Sequence, residues 1–413
     1  MNKKTISFLN LGCKLNQYEL ELLREMAEEG GYTVVNLEDN PEVCVVNTCS
    51  VTHSADQQSR NLIRRALKKA KEVYVTGCYT ELAPSLLSSI SPRVKVIPNT
   101  EKIPQFQRIL GSPLHSVRRF SSHTRAFVKV QEGCNQFCTY CIIVYLRKSP
   151  RSRPLYEIVQ EAKTLAEAGK QEIILTGIHI GKYGQDLQER TDLPTLVETI
   201  LSEVPNVRVR LSSIEPEEIT DKLLEMITSH PRVCPHVHLS VQSGSASVLK
   251  RMMRRYTPKD IANIIQSIWE KNPYVGIGAD IIVGFPGESD EEFEETYSLL
   301  ESLPVSYLHV FRYSSRPGTL ASLYPNQVNE TVKKERSHIL LELALNKYYT
   351  FRESCKHKTL PCIVEAEKDK PTGMTALMSD NYIRILIPTE EESMVNVKIT
   401  GMKGYDTYGE VLS

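Results

Sequence analysis

The sequence predicts an α/β protein with three parts: a doubly wound parallel sheet, a partial (β/α)6 barrel and a small β-barrel. Strand-like and helix-like segments alternate within residues 1–115 and again within residues 120–350. Residues 353–413 instead contain only short strand-like segments. Strand–helix alternation is typical of parallel sheets, and consecutive short strands are typical of small barrels.

The first predicted domain, residues 1–115, is the doubly wound sheet. Its helices are expected at Asn16–Glu29, opening on an asparagine cap, and at Ser54–Lys71, opening on a serine cap. Residues 111–125 are polar and rich in turn formers, which predicts a linker. The predicted strands are Lys4–Asn10, Cys44–Asn47, Val73–Thr76 and Val94–Ile97.

The second predicted domain, residues 120–350, contains six strand–helix units. A full barrel of this type has eight units, so six predict a partial barrel. The domain is expected to end in one long helix, Thr331–Ser354. The predicted strands are Ala126–Gln131, Glu172–Thr176, Val207–Ser212, His236–Val241, Gly278–Val283 and Tyr307–Phe311.

The third predicted domain, residues 353–413, carries seven Lys and Arg against ten Asp and Glu, a net charge of −3. Such a charge is unfavourable for RNA binding. Either a local face contacts RNA, built from Lys398, Lys403, Tyr405 and Tyr408, or this barrel docks on protein. The predicted strands are Leu360–Glu365, Tyr382–Ile387, Met394–Gly401 and Tyr408–Leu412.

The overall composition is that of an ordinary globular protein. Of 413 residues, 41% are hydrophobic, and 50 Lys and Arg balance 50 Asp and Glu. This excludes a disordered chain and a strongly basic nucleic-acid coat. No stretch of about 18 apolar residues exists, and the short apolar run near the start, broken by Asn10, does not make a secretory signal. A cytoplasmic protein is therefore expected.

Three cysteines lie close together after the first strand of the predicted barrel. Cys134, Cys138 and Cys141 follow Gly133 at spacings of four and three residues. A 4Fe–4S cluster normally takes four thiolates, so three leave one iron open. Zinc is the alternative, but a structural zinc site needs four ligands and no second pair follows at zinc-finger spacing. An iron–sulfur site is the preferred interpretation.

Three further cysteines follow three separate predicted strands of the first domain. Cys13, Cys49 and Cys78 each stand in a short turn after an apolar run, whereas Cys44 lies within a strand. Because the carboxyl ends of parallel strands meet at one edge of a sheet, the three thiols are expected to converge there. The alternative is that small turn residues simply include cysteine.

The CxxxCxxC pattern, with Tyr140 before its last cysteine, resembles the radical S-adenosylmethionine (SAM) superfamily. That resemblance implies that Cys134, Cys138 and Cys141 bind a 4Fe–4S cluster whose open iron is chelated by SAM. The reduced cluster of such enzymes cleaves the sulfonium and releases a 5′-deoxyadenosyl radical. Tyr140 is then expected to pack near the adenine.

Both cysteine sets together resemble the radical SAM methylthiotransferases, over essentially the whole chain. These enzymes have an auxiliary cluster in their first domain, a radical SAM core and a final RNA-binding TRAM barrel. The segments that carry the resemblance are Gly12–Glu19, Val46–Thr52, Thr76–Cys78, Leu175–His179, Leu211–Pro216, His238–Gly244 and Asp280–Glu288.

The resemblance implies two 4Fe–4S clusters, the auxiliary one on Cys13, Cys49 and Cys78, and two molecules of SAM consumed per product. It also implies three partners: a tRNA anticodon stem-loop, a flavodoxin- or ferredoxin-type reductant and a sulfur donor. His179, His236 and His238 are interpreted as core or strand-end residues. The expected SAM contacts are Tyr140, Gly177, Ser240, Gln242 and Gly284.

The motif Lys-Leu-Asn-Gln-Tyr-Glu after Cys13 resembles the motif of the subgroup that acts on threonylcarbamoyladenosine beside the anticodon. The alternatives within the family are isopentenyladenosine in tRNA and an aspartate of a ribosomal protein. The alternative from another class is a non-catalytic iron–sulfur RNA-binding or electron-transfer protein, which would need fully ligated clusters.

Three basic runs are interpreted as phosphate contacts for a nucleic acid, although such runs are usually solvated faces. The basic runs are Arg60, Arg64, Arg65, Lys68 and Lys69; Arg147, Lys148, Arg151 and Arg153; and Lys250, Arg251, Arg254 and Arg255.

The sequence departs from the family pattern at two positions. Val144 and Arg312 stand where the family usually has proline, and neither is a ligand position.

Overall fold

A computed structural model describes residues 4–121, 124–391 and 393–412 of the chain. The first part is a five-stranded parallel sheet in the order β2-β1-β3-β4-β5. This order belongs to the doubly wound folds and confirms the predicted class. The strands are β1 (Thr5–Asn10), β2 (Thr33–Val34), β3 (Val43–Thr48), β4 (Glu72–Gly77) and β5 (Val94–Val96).

Both predicted helix caps are wrong. The first helix begins after Cys13, whose backbone is extended, and Asn16 lies inside its first turn. The second begins after Thr52, whose hydroxyl accepts the N–H of Ala55. The side-chain amide of Asn16 instead donates hydrogen bonds to the backbone carbonyls of Leu11 and Thr48. The helices are α1 (Lys14–Glu29), α2 (His53–Lys69), α3 (Cys78–Leu82), α4 (Pro84–Ser88) and α5 (Lys102–Leu110).

The second part is a six-stranded parallel half-barrel, as predicted. Strands β6, β9 and β10 form one sheet and β11, β12 and β13 another, and parallel bridges such as Ile214 to Leu239 join the two. A short hairpin, β7–β8, stands above β6. The strands are β6 (Ala126–Lys129), β7 (Gln131–Glu132), β8 (Arg151–Ser152), β9 (Glu172–Thr176), β10 (Arg208–Leu211), β11 (His236–Gln242), β12 (Gly276–Val283) and β13 (Tyr307–Arg312).

Helices cover the outside of the half-barrel, and one hydrophobic core runs continuously from this part into the first sheet. Helix α1 packs against β6, the edge strand of the half-barrel. The helices are α6 (Ile143–Leu146), α7 (Leu155–Glu167), α8 (Leu193–Glu203), α9 (Asp221–Ser229), α10 (Ala246–Arg251), α11 (Pro258–Lys271), α12 (Asp290–Ser302) and α13 (Glu330–Ser354).

The segment predicted as a linker is anchored where the structure describes it. Val117 and Phe120 are fully buried in the shared core. The carboxylate of Glu25 accepts the backbone N–H groups of Arg118, Arg119 and Phe120 at 2.8–3.2 Å. Satisfied backbone donors and buried apolar side chains fix a connection in place, so the first sheet and the half-barrel pack as one unit.

The last part is a closed five-stranded barrel in the order β14-β15-β16-β18-β17. Its second strand, β15, was not predicted from the sequence. None of the helices among the described residues is both long and apolar enough to cross a membrane. The strands are β14 (Thr359–Val364), β15 (Thr375–Ser379), β16 (Arg384–Ile387), β17 (Met394–Lys403) and β18 (Asp406–Val411).

Buried charged residues of strands β9 and β10 attach this barrel to the half-barrel. Glu172 is fully buried and pairs with Arg208 at 2.6 Å and Arg210 at 2.7 Å. The two guanidinium groups also donate to carbonyl oxygens of Pro361, Ser379 and other residues of the final barrel. Burial alone would raise the pKa of Glu172, but Arg210 and Arg208 outweigh it and lower the pKa to about 2.

Protonation of Glu172 is expected to weaken this attachment. Because its pKa is depressed in the folded chain, its contribution is complete above the ordinary glutamate value of about 4.5 and is lost as the pH falls toward 2. Glu172→Gln should destabilise the chain by about 3–5 kcal/mol at pH 7, since two buried cations lose their charge partner. Urea unfolding at pH 7 and pH 3 measures both effects; an equal loss in the mutant at both pH values would contradict the assignment.

Candidate active site with two cysteine triads

The first triad, Cys13, Cys49 and Cys78, stands at the carboxyl edge of three neighbouring strands. Cys13 follows β1, Cys49 follows β3 directly, and Cys78 follows β4 directly. These strands are adjacent and parallel, so their ends lie side by side. Burial, followed by the charges of Cys78 and Cys13, raises the pKa of the Cys49 thiol to about 11. The expected convergence of these three cysteines is therefore found.

Glycines and one asparagine allow the three turns to approach closely. Gly12 has φ +128°, and a Cβ there would lie 3.3 Å from Cβ of Cys49. Gly77 has φ +99°, and a Cβ there would lie 2.3 Å from the carbonyl oxygen of Thr48. The amide of Asn16 donates to the carbonyls of Leu11 and Thr48 at 2.8 and 3.2 Å. Left-handed backbone at these glycines is accessible without a Cβ penalty.

The second triad, Cys134, Cys138 and Cys141, lies on the loop between β7 and α6. The N–H of Cys134 donates to the carbonyl of Lys148, and that of Cys141 donates to the carbonyl of Cys138. Burial, followed by the charge of Cys138, raises the pKa of the Cys141 thiol to about 12. The loop is thus closed on itself, with its three thiols near one another.

Each triad has an arginine that donates a hydrogen bond to a sulfur. Nε of Arg147 lies 3.4 Å from Sγ of Cys78, and Nη1 of Arg254 lies 3.1 Å from Sγ of Cys138. Both guanidinium groups are buried. Hydrogen bonds and positive charge beside thiolate sulfur stabilise bound anionic clusters and tune their potentials. Neither role was predicted from the sequence, because both residues belong to runs interpreted as phosphate contacts.

His179 makes a third contact to sulfur. Its Nδ1 lies 3.4 Å from Sγ of Cys134 and its Nε2 lies 2.7 Å from Oε1 of Glu218. Burial would lower the pKa of His179, but hydrogen bonds to Cys134 and Glu218 outweigh it and raise the pKa to about 9. His179 stands at a strand end, as interpreted, and is there a charged hydrogen-bond donor to sulfur.

The two triads adjoin each other. Cys78 packs in one small cluster with Ile142, which directly follows Cys141, and with Leu146 of α6. Arg147, at the end of the same segment, pairs with Glu19 of α1 and with Glu132 of β7. The first sheet therefore presents its thiols toward the cysteine loop of the half-barrel. Spacing in the sequence could not show this, because it depends on how the two parts dock.

The thiol sets fit iron–sulfur clusters with one open iron. Each site presents three soft ligands, and both nitrogens of His179 are already hydrogen-bonded. A structural zinc site would need a fourth ligand, and none is evident at either triad among the residues the structure describes. Three thiolates around a cubane leave one iron for an exogenous ligand.

The five residues predicted to contact SAM lie along the same carboxyl edge of the half-barrel. Tyr140 packs against the cluster that contains Met252 and Phe285. Gln242 ends β11 with φ +66° and Gly284 follows β12 with φ +70°. A Cβ on Gly177 would lie 2.7 Å from the carbonyl oxygen of Gln131, and the carbonyl of Ser240 accepts from Arg254. Their contact with SAM stays a prediction.

Much of the basic surface proposed for phosphate is used inside the protein. Arg153 pairs with Glu161, Arg251 pairs with Glu292, and Arg254 pairs with Glu215. Arg147, Arg153 and Arg254 are held in mostly buried ion pairs and are therefore not free phosphate contacts, whereas Arg251 is paired but about one third exposed. The exposed cations of the runs beside the second triad are Lys148, Arg151, Lys250 and Arg255.

Comparisons with known proteins agree with this architecture. The radical SAM superfamily model matches residues 128–300, and the model described as uncharacterized protein family UPF0004 matches residues 5–98. A solved structure of the radical S-adenosylmethionine methyltransferase TsrM from Kitasatospora setae matches with a TM-score of 0.56 and 13% identity, covering 75% of this chain and 73% of that one. This likeness supports the fold alone.

Three curated relatives match over nearly the full length. Threonylcarbamoyladenosine tRNA methylthiotransferase MtaB of Bacillus subtilis is 36% identical over 96% of this chain and 93% of its own. The enzyme of the same name from Aquifex aeolicus is 38% identical, over 92% and 96%. The tRNA-2-methylthio-N(6)-dimethylallyladenosine synthase of Fusobacterium nucleatum is 32% identical, over 99% and 100%.

The fold and the radical SAM match define a radical SAM enzyme. The full-length relatives go one step further: the chain belongs to the radical SAM methylthiotransferase family, as the sequence motifs indicated.

Proposed function

We propose that this protein inserts a methylthio group at C2 of N6-threonylcarbamoyladenosine at position 37 of tRNA. The observation that carries the proposal is the pair of adjoining three-cysteine sites, one on each of two docked parts. A single site would serve radical formation alone. Insertion of sulfur into an unactivated C–H bond also needs a second place at which sulfur is held, and the first triad provides it.

In this proposal Cys134, Cys138 and Cys141 hold the cluster that binds SAM, and Cys13, Cys49 and Cys78 hold the auxiliary cluster. When bound, the two clusters and SAM supply the radical, sulfur and methyl chemistry that side chains cannot perform. The protein positions these groups. Arg147, Arg254 and His179 offset the negative charge of the thiolates from within the fold.

The adenosine must leave its stack to reach the triads, and an anticodon loop allows this. Exposed cations beside the second triad, Lys148, Lys250 and Arg255, are suited to phosphate contacts that position the loop without reading its sequence. A flavodoxin- or ferredoxin-type reductant and a sulfur donor complete the reaction. Because the substrate is tRNA, the cytoplasm is its place of action.

Identity supports threonylcarbamoyladenosine over the isopentenyl-type substrate. The relatives named for threonylcarbamoyladenosine are 36% and 38% identical to this chain, against 32% for the dimethylallyladenosine synthase. Both threonylcarbamoyladenosine enzymes are thus more similar to this chain than the dimethylallyladenosine synthase is. This order agrees with the Lys-Leu-Asn-Gln-Tyr-Glu motif that begins at Lys14.

Mass analysis of tRNA nucleosides from cells with and without this gene tests the proposal. We expect 2-methylthio-N6-threonylcarbamoyladenosine to disappear and its unthiolated precursor to accumulate. Loss of the isopentenyl analogue instead would keep the reaction and overturn the substrate. An unchanged tRNA profile would overturn tRNA as the substrate and favour the ribosomal-protein aspartate.

A further inference from the structure

A group of polar side chains on three strands of the half-barrel belongs to neither triad. His238 of β11, Asp280 of β12 and His309 of β13 stand on adjacent strands. Nε2 of His238 lies 2.8 Å from Oδ1 of Asp280, and Nδ1 of His309 lies 3.3 Å from the same oxygen. His309 is half exposed, so the group faces open space.

A second layer holds this group in position. The hydroxyl of Tyr307 contacts Nδ1 of His238 at 3.0 Å and Nε2 of His236 at 2.8 Å. The ring of Tyr382, from the final barrel, stacks on His236 at 4.4 Å. Side chains fixed from behind by hydrogen bonds and packing present their free atoms with a defined direction, as binding sites require.

One lysine that forms no ion pair in the described part of the chain lies close enough to this group for Asp280 to act on its charge. Lys14 is half-buried and forms no ion pair or hydrogen bond with any residue in the described ranges 4–121, 124–391 and 393–412. The charges that act on its ammonium group include those of Arg210, Glu172 and Asp280, all on strands of the half-barrel. Lys14 is the first residue of helix α1, which packs against β6, the edge strand of the half-barrel.

The chemistry of the proposed substrate matches these groups. A threonylcarbamoyl substituent carries a carboxylate, a hydroxyl and a urea, whereas an isopentenyl substituent is apolar. A partly buried ammonium that has no direct ion pair among the described residues favours an anion, and Asp280 and His309 can accept and donate hydrogen bonds. Lys14 directly follows Cys13, so an anion bound there lies beside the first triad.

We propose that the interior of the half-barrel is the pocket for the threonylcarbamoyl group, an inference that rests on the proposed function. Lys14 pairs with its carboxylate, and the His238–Asp280–His309 group binds its hydroxyl and urea. Lys14 is then the residue that distinguishes an anionic substituent from an apolar one. Nothing reacts at this pocket; it positions the base at the triads.

Binding to the holoenzyme without reductant tests this pocket separately from turnover. The probes are an anticodon stem-loop carrying threonylcarbamoyladenosine and the same stem-loop with the threonine carboxylate as its methyl ester. For Lys14→Met we expect Kd for the acid to rise about 10- to 100-fold, the range for a lost hydrogen bond between charged groups. Kd for the ester should be equal in wild type and mutant.

Lys222→Met is the matched control, because Lys222 lies on α9 outside the half-barrel and pairs with exposed Glu198. Equal Kd for the acid in wild type and Lys14→Met would overturn the pocket even if wild type methylthiolates this stem-loop. Absence of turnover by wild type would instead count against the proposed function. One equivalent of a non-iron divalent metal, lost in His309→Ala, would show a metal site and also overturn the pocket.

Discussion

Replacing Cys141 by alanine is expected to abolish reductive cleavage of SAM while leaving the first triad loaded. Wild-type holoenzyme should contain about eight irons per chain, two cubanes of four, and the mutant about four. The reason is that Cys141 belongs to the second triad alone and is half-buried on the loop that carries that triad. Iron analysis and 5′-deoxyadenosine release with dithionite measure both quantities.

Cys78→Ala is the complementary variant, and it separates the two sites. It should also retain about four irons, but it should still release 5′-deoxyadenosine and form no methylthiolated product. Cys44→Ala is the control, since Cys44 is buried within β3 and belongs to neither triad. Cleavage of SAM by Cys141→Ala, or its loss in Cys78→Ala with the second triad still loaded, would contradict the assignment of the sites.

Replacing Arg147 by methionine is expected both to destabilise the fold strongly and to alter the first triad. Its fully buried guanidinium pairs with Glu19 and Glu132 and donates hydrogen bonds to Asn16 and to the sulfur of Cys78. Removing one partner of a buried charge network costs about 3–5 kcal/mol, because the carboxylates stay buried with less compensation. Urea unfolding of the anaerobically prepared protein measures this loss.

A spectroscopic readout separates the contact with sulfur from general loss of stability. Without the N–H donor and positive charge beside Cys78, the reduced auxiliary cluster is less stable, so its reduction potential should fall. The potential of the cluster at the second triad should not change. Arg64→Met is the control for both measurements, because Arg64 is an exposed residue of α2. An unchanged auxiliary potential in Arg147→Met would show that the arginine is only structural.

The architecture and the six cysteines were predictable from the sequence because both depend on local patterns. Alternation of apolar runs with amphipathic helices gives parallel strands, and parallel strands bring their carboxyl ends to one edge. Cys13, Cys49 and Cys78 are each found just after a strand, so the same rule predicted their convergence. The CxxxCxxC loop needs no tertiary information at all, since its spacing alone keeps three thiols near one another.

Helix caps and the linker were less predictable, because neighbours remote in sequence decide them. Asn16 resembles a cap, but its amide is taken by the carbonyls of Leu11 and Thr48. Residues 111–121 resemble a loose connection, yet Glu25 accepts three of their backbone N–H groups. A local window contains neither partner.

The sequence by itself determined the fold class, the six cysteines of the two triads and the family. Only the tertiary structure decided which charged side chains contact the cysteines of the site. Arg147 and Arg254 belong to basic runs that look alike in the sequence, but docking of the first sheet on the half-barrel buries one beside Cys78, and folding of the half-barrel places the other beside Cys138. The same docking brings Lys14 near charged residues on the strands of the half-barrel. The role of a charged side chain depends on what lies across from it, and that is set by contacts between residues far apart in the chain.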